Sequence, residues 1–443
     1  MRSEIMGSID IAMESTLQDV KSAMATESTS QEILSLIKQT NSDAPYAGVE
    51  IDFTTNTAIR LGDAVGHSAG DAFFNGMGAF GGRRRCNIDN SGVVSAYYGD
   101  SAYTDIGSNV LSVMVEQPAF YYKVEPLDMV PDYKGKGYVV SKIRYYISDV
   151  PREGFKIHPA FVVGDKQVSK IYLAAYRGSL WDTSAVMLVT DDSVAADSTA
   201  DLLCSSKGTK PASGGGHTLT RDYCRKMAAL RGTGWSIETI QSASMTQMLF
   251  MVEYASLNAQ SKLGAGHTNG TWNETNDTQQ TGTTSALGNT SGVVTTNNIQ
   301  AVTYRGEEDL YGMWRFIDGM NIDNYGRFIP YINSDTAFAD NKVTDNYTEI
   351  GFAPIPAQGY LSKICYSEKC DWAFMAGEVK GNSNDLLGDY FWNDPTGSFV
   401  AITLLGGAWN DGVRAGLACW RWSSGSGNWN ANFGARLLYR PIA

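Results

Sequence analysis

The chain has 443 residues, of which 43% are hydrophobic and 19% charged; that balance excludes wholesale disorder, and the length suggests two or three domains at roughly 150 residues each. A formal net charge of −12 argues against a nucleic-acid partner, because binding to a phosphate backbone relies on a broad positive field. There is no run of about 18 apolar residues, and the N-terminus carries acids where a signal peptide needs an apolar stretch, so membrane insertion is not expected and the chain reads as made in the cytoplasm.

Over the first forty residues, Ile9, Met13, Leu17, Val20 and Met24 recur at three- and four-residue steps, followed by Ile33, Leu34 and Ile37. This spacing predicts an amphipathic helix, which either packs on its own domain or forms a short coiled coil that holds an oligomer together. The NSDAP stretch at 41–45 punctuates the chain, making 1–45 a helical oligomerisation or attachment segment. From 46 to 150 the runs VEIDF, VVSAYY, VLSVMV, AFYYKV and YVVSKIRYYI are separated by Gly, Asn and Asp clusters and predict a β-rich domain. The one basic run, Arg83, Arg84 and Arg85, reads as a solvated turn. FKIHPAFVV and KIYLAAY continue the strands beyond 150.

Between 218 and 263 the composition turns helical, and two helices are expected, the second capped by Ser236 and burying Ile240, Met248, Phe250, Met251 and Tyr254. The polar Gly/Thr/Asn-rich stretch 264–300 is too long for an ordinary connection, which makes it either mobile or functional. Glu307, Glu308 and Asp309 form the densest acid cluster; without Asp-x-Asp-x-Asp spacing they read as a solvated turn rather than a cation site. Six scattered cysteines read as free thiols, and His217 and His267 lack a partner at metal-ligand spacing. No nucleophile elbow, P-loop, HExxH or dinucleotide fingerprint is present, so no catalytic residue, no metal ligand and no enzymatic activity are expected.

The tail combines Trp409, Trp420, Trp422 and Trp429 with dense Gly, Ser and Asn, a composition like that of an antibody paratope, where rigid aromatics supply contact area and small polar residues supply adaptable hydrogen bonding. Trp409 and Trp422 themselves read as core.

This segment, GGAWNDGVRAGLACWRWSSGSGNWNANFGAR, resembles the variable region of phage receptor-binding proteins diversified by retroelements, the major-tropism-determinant type. Gly406-Gly407, Trp409-Asn410, Gly416, Trp422, Gly425, Asn428, Asn430-Ala431-Asn432 and Gly434-Ala435-Arg436 match that pattern without a gap. YRGEEDLYGMWRFIDGMNI and GDYFW look like the framework of the same fold. The resemblance implies an α+β protein: a C-type-lectin-like ligand-binding domain at 151–443, of the variety seen in formylglycine-generating enzymes, with its variable region at 406–436, preceded by the β-rich domain and the N-terminal helix. The oxidase branch of that fold has a cysteine pair where this chain has Asp411 and Gly416, so the resemblance implies binding without catalysis.

The implied ligand-binding positions are Ala408, Asn410, Asp411, Arg414, Arg421, Ser423, Ser424, Asn428, Asn430 and Asn432. Each is reachable from an Asn codon by changes at adenines, and residues 401–443 contain no Lys, Glu, Gln or Met, four residues such changes never produce. The implied partners are a host cell-surface protein or glycan, other virion tail proteins, and further copies of the chain in a trimer, with the virion tail as location. No cofactor is expected, and calcium dependence stays open because no paired ligand set can be placed in the tail. A non-diversified structural tail or baseplate protein of the same fold is the alternative.

Overall fold

The computed structural model describes residues 43–192, 194–272, 275–326, 328–334, 337–340, 342–394 and 397–441. The expected N-terminal helix lies outside the described residues. Strand makes up 35% of the chain and helix 13%, consistent with the β-rich or α+β class.

The long strand Tyr138–Ser148 organises the first sheet. Val140, Ile143, Tyr145 and Ile147 face inward and are buried, while Lys142, Arg144 and Tyr146 between them are half-exposed, the two-residue period of a strand with one face on a core. On the outer face Lys142 and Arg144 both pair with Glu50 of the neighbouring strand, at 2.8 and 2.7 Å. One edge of Tyr138–Ser148 carries Tyr121–Pro131. The other is divided between Tyr46–Asp52 and Lys363–Tyr366, with Asp52 opposite Lys142 and Ile364 opposite Val140.

A second, six-stranded sheet runs Trp235–Ile237, Leu437–Tyr439, Lys170–Ala174, Leu111–Pro118, Arg84–Asp89, Val94–Tyr97. The third, with eight strands, follows the order Thr348–Glu349, Ile329–Ile332, Trp314–Asp323, Val400–Leu405, Trp420–Trp422, Tyr390–Asn393, Gly359–Tyr360, and Phe433–Gly434 joins Trp314–Asp323 in parallel. The expected boundary near 150 runs through the first two sheets, because strands on either side of it hydrogen-bond to one another. One apolar cluster likewise joins Val49, Ile143 and Tyr145 to Phe250, Phe374 and Trp420.

Between the sheets lies the helix Ile240–Tyr254, packed on Tyr46–Asp52, Tyr138–Ser148 and Trp314–Asp323. Every residue from Ile240 to Glu253 is buried, so the helix is core on all sides and its polar members need internal partners. Gln241 donates to the Asn333 carbonyl (3.2 Å), Gln247 to the Leu417 carbonyl (2.6 Å), and Glu253 pairs with Arg305 (2.6 Å). Ser236 is not its cap: it lies in Trp235–Ile237, and Thr239 starts the helix instead, in a reciprocal capping box with Ser242. The helix ends at Ala255, in the left-handed region at φ 53°.

Of the residues expected in two solvated turns, Arg84 is exposed while Arg83, Arg85, Glu307, Glu308 and Asp309 are internal. Arg83 and Arg85 are buried, Arg83 in an ion pair with Glu307 and Arg85 donating to the Gly306 carbonyl (2.8 Å) and the Tyr176 hydroxyl (3.1 Å). Glu308 accepts from the backbone of Gly282 and Thr284, both at 2.6 Å, and Asp309 accepts from the Val302 amide at 2.9 Å. The basic run and the acid cluster thus help to cross-link the core, and the acids hold protein donors in place of a cation.

Candidate binding surface

The tail leaves the strand Val400–Leu405 at Gly406 and Gly407, both in positive-φ backbone (112° and 76°). A Cβ on Gly407 would press on the Ala415 backbone, so the turn closes only with glycine at this position. Two backbone bonds seal the loop, Gly406 N–H to the Cys419 carbonyl (2.9 Å) and Gly416 N–H to the Gly406 carbonyl (3.1 Å). Asp389 of the GDYFW motif braces it from below, accepting from the Ala418 amide at 2.6 Å, while a Cβ on Gly416 would run into its carboxylate. Asp389 is fully enclosed, and burial holds its carboxyl well above the usual carboxylate range, with the Ala418 bond opposing.

Three of the four tail tryptophans are framework, while Trp429 is exposed. Trp409, Trp420 and Trp422 are buried; the Trp420 indole donates to the Phe374 carbonyl (2.7 Å), and Trp422 meets Phe391 edge-on at 5.0 Å. Arg436 of the GAR segment is buried and donates to the carbonyls of Glu308 (2.7 Å) and Ala174 (2.6 Å). The 264–300 stretch packs on this framework: Gly270 N–H donates to the Trp409 carbonyl (2.7 Å), Gly412 N–H to the Thr268 carbonyl (2.8 Å), and Trp272 stacks on Trp409 at 5.8 Å.

The ten expected ligand positions divide into three groups. Asn428 is exposed; Asn410, Asp411, Arg414, Arg421, Ser423 and Asn430 are half-buried at the surface. Ala408, Ser424 and Asn432, at 1%, 3% and 7% exposure, do not face outward in this chain. Their inward placement has local causes. The Ala408 amide is held by the Asp411 carboxylate at 2.6 Å, Ser424 accepts Ile402 N–H through its carbonyl at 2.9 Å, and the Asn432 carbonyl accepts Trp314 N–H at 2.9 Å, where the chain enters Phe433–Gly434. Three other positions shape their own loops, with Asn428 Oδ1 accepting from Gly425 N–H (2.6 Å), Asn430 Oδ1 from Ala431 N–H (2.7 Å), and Arg414 Nε donating to the Asp411 carbonyl (3.2 Å).

Sequence reasoning missed the aromatic side of this surface. Tyr390 and Trp392 alternate with buried Phe391 and Asn393 along one strand, so both face the same way, and Tyr360 sits beside Tyr390. The ring centroids are 5.2 Å apart for Tyr360 and Tyr390 and 4.7 Å for Tyr390 and Trp392. The strand period within GDYFW carried this signal. Arg414 lies over Trp392 (5.2 Å) and Tyr390 (5.9 Å); Arg421, whose strand residue stands opposite Trp392, lies over Phe433 (5.4 Å) and Trp314 (5.8 Å). Burial depresses the Arg421 pKa and raises that of Asp411, whose carboxyl is in electrostatic reach of both arginines. Enclosed polar atoms without a hydrogen-bond partner gather here: Trp392 Nε1, Trp409 Nε1, Trp422 Nε1, Asn410 Oδ1, Asn432 Oδ1 and Arg421 Nε. Cys419 is buried and its thiol is pushed well above the ordinary range by desolvation. Among the described residues no group of three or more His, Cys, Asp or Glu side chains is placed to hold a metal ion.

Fold and surface together define a β-rich protein with a rigid aromatic framework carrying a polar, arginine-bearing face. Solved structures that the chain matches include the Major Tropism Determinant P3c variant, at 11% identity over 81% of this chain and 71% of that one, with a TM-score of 0.27, and the M1 variant, at 12% identity over the same shares, with a TM-score of 0.26. No family model and no curated protein matches the chain. At such levels of similarity the function has to be read from this chain's own residues.

Proposed function

We propose that the chain is a phage or prophage tail protein that binds a host-cell receptor through the 408–432 face, displayed on a C-type-lectin-like scaffold and diversified by a retroelement. It catalyses no reaction in this reading. The observation that carries it is the division of labour within one segment. Gly407, Trp409, Gly416, Trp420, Trp422 and Arg436 are fixed by sterics and internal bonds, whereas Asn410, Arg414, Arg421, Ser423, Asn428 and Asn430 between them reach the surface. A framework of this kind tolerates changes at the second set without refolding, which is what a variable binding face requires. A single face of small polar residues binds weakly, and a trimer would gain affinity through effective concentration.

The test is adhesion of the labelled full-length protein to bacterial cells of its source community. Asn428→Glu and Ser423→Glu are expected to abolish adhesion while the protein stays folded, with a thermal midpoint close to the parent's. Unimpaired adhesion in both would overturn the reading, and intact adhesion with failed virion assembly would favour a structural tail component. Diversification is tested separately by sequencing the 3′ end of the gene across the population, where substitutions are expected at codons 408 to 432 and confined to template adenines.

A further inference from the structure

Most other arginines among the described residues pair with a carboxylate or donate to backbone carbonyls. Arg225 meets Asp318 at 2.6 Å, Arg305 meets Glu253 at 2.6 Å, Arg315 meets Glu238 at 2.6 Å and Arg221 meets Asp340 at 3.0 Å. Arg231 and Arg436, without a carboxylate, donate to backbone carbonyls at 2.5 to 2.8 Å. Arg421 differs from all of these. Its stem and Nε are enclosed between Trp314 and Phe433, Nε has no hydrogen-bond partner, and no acceptor or carboxylate among the described residues takes its guanidinium. Its terminal nitrogens, unlike Nε, are not enclosed. The fork therefore opens outward with its donors unanswered. Arg414, on the other side of Trp392, uses Nε on the Asp411 carbonyl and likewise has no carboxylate at ion-pair distance among the described residues. Asp411 acts on both arginines through space but makes an ion pair within 4 Å with neither, and its Oδ2 is taken by the Ala408 amide.

A desolvated guanidinium without a counter-ion is unfavourable, and a planar fork backed by aromatic faces matches a carboxylate bidentately. In a chain of net charge −12, anions are repelled in general, so two unanswered arginines on one face mark a specific point of capture. Beside them the half-buried side chains of Tyr360, Tyr390 and Trp392 stand in a row, successive rings set at 82° and 47° to one another, an aromatic wall against which the apolar faces of sugar rings can pack next to Arg414. We infer that the ligand of this face is an acidic glycan, whose carboxylates are held by Arg421 and Arg414 and whose sugar rings rest on the Tyr360, Tyr390 and Trp392 row. This deepens the receptor-binding reading and rests on it.

The test uses the full-length protein in titrations with oligomers of galacturonic acid and of sialic acid, each beside its carboxyl-reduced counterpart, and with a glutamate-rich peptide of equal charge. At least one acid oligomer is expected to bind, with its reduced form about tenfold or more weaker, since a charge-assisted bond to each fork is lost. Arg421→Gln is expected to weaken binding by about tenfold or more while leaving the thermal midpoint unchanged or higher, and Arg414→Gln to weaken it less. Should Arg421→Gln fail to fold, the comparison of acid and reduced oligomers on the parent protein decides. Equal binding of acid and reduced oligomers, parent-like binding by both arginine variants, or capture of the peptide in preference to both acid oligomers would each overturn the inference. Cell adhesion that Asn428→Glu abolishes, in a protein that binds neither acid oligomer, would overturn this inference and leave the receptor reading standing.

Discussion

Asp389 and Gly416 show how closely the tail is fitted to what lies beneath it. Gly416→Ala drives a methyl group into an enclosed carboxylate, and overpacking of this kind costs roughly 1–3 kcal/mol; Gly427, whose Cβ would meet nothing within 4 Å, should accept alanine within about 0.5 kcal/mol. Chemical denaturation of the two variants checks the contrast, and equal losses would show that the loop is not braced as described. Asp389 also leaves a signature in pH. Burial raises its pKa in the folded state, so its ionisation opposes folding: its contribution is most favourable below the ordinary value of 3.8, and is lost as pH rises from there toward the displaced folded-state value. The stability of Asp389→Asn relative to the parent should therefore increase with pH above about 4, and a difference that is flat in pH would contradict the assignment. These roles are hard to read from sequence. A lone Asp before an aromatic run looks solvated, and the arginines of 83–85 and the acids of 307–309 looked solvated for the same reason, since burial of paired charges depends on partners more than 200 residues away.

Among the elements, the long helix was legible and its start was not. Both Ser236 and Thr239 are competent caps, and the choice falls to Thr239 because residues 235–237 pair with Leu437–Tyr439 as strand. The residue that decided the boundary thus lay at the far end of the chain. Thr239→Ala removes one half of the capping box and should cost about 1 kcal/mol, measured by denaturation, with Ser236→Ala giving a smaller loss; the reverse order would return the cap to Ser236. The expected strands at 49–53, 93–98, 110–115, 119–124, 138–147 and 170–176 correspond to observed strands within a few residues, whereas the strand expected at 155–163 is broken into Lys156–Ile157 and Val162–Val163 by a 3-10 turn at Pro159–Phe161, where proline cannot donate to a ladder. The strands Thr57–Gly62 and Arg84–Asp89 were missed. Both carry charge, and the second buries Arg85, which no periodicity would place inside.

For the molecule as a whole, pairing across long distances replaced the expected modular division. Hydrophobic patterning reveals which face of a strand is buried but not which strand lies beside it, and so a boundary at 150 looked sound while the sheets ran through it. Residues 43–150 expressed alone would lack Lys170–Ala174 and Lys363–Tyr366 as neighbours and the helix that covers their apolar face. That fragment is expected to show no cooperative thermal transition; a sharp one would restore an independent domain. The tail's framework was legible from its glycines and tryptophans, whereas the aromatic row opposite came from another part of the chain and was read as framework only.

The position of Leu437–Tyr439, between Trp235–Ile237 and Lys170–Ala174 in the second sheet, bears on how errors in the preceding segment are handled. This strand is encoded downstream of codons 408 to 432. A frameshift or stop codon arising among those codons would remove an interior strand of a sheet rather than a trailing end, leaving Trp235–Ile237 without its partner, one edge of Lys170–Ala174 bare, and the apolar residues Leu437 and Leu438 absent from the core. Such products cannot complete their fold and fall to cellular proteases. Under the diversification proposed above, variants of the 408–432 face that lose the reading frame would thereby be removed at the level of folding.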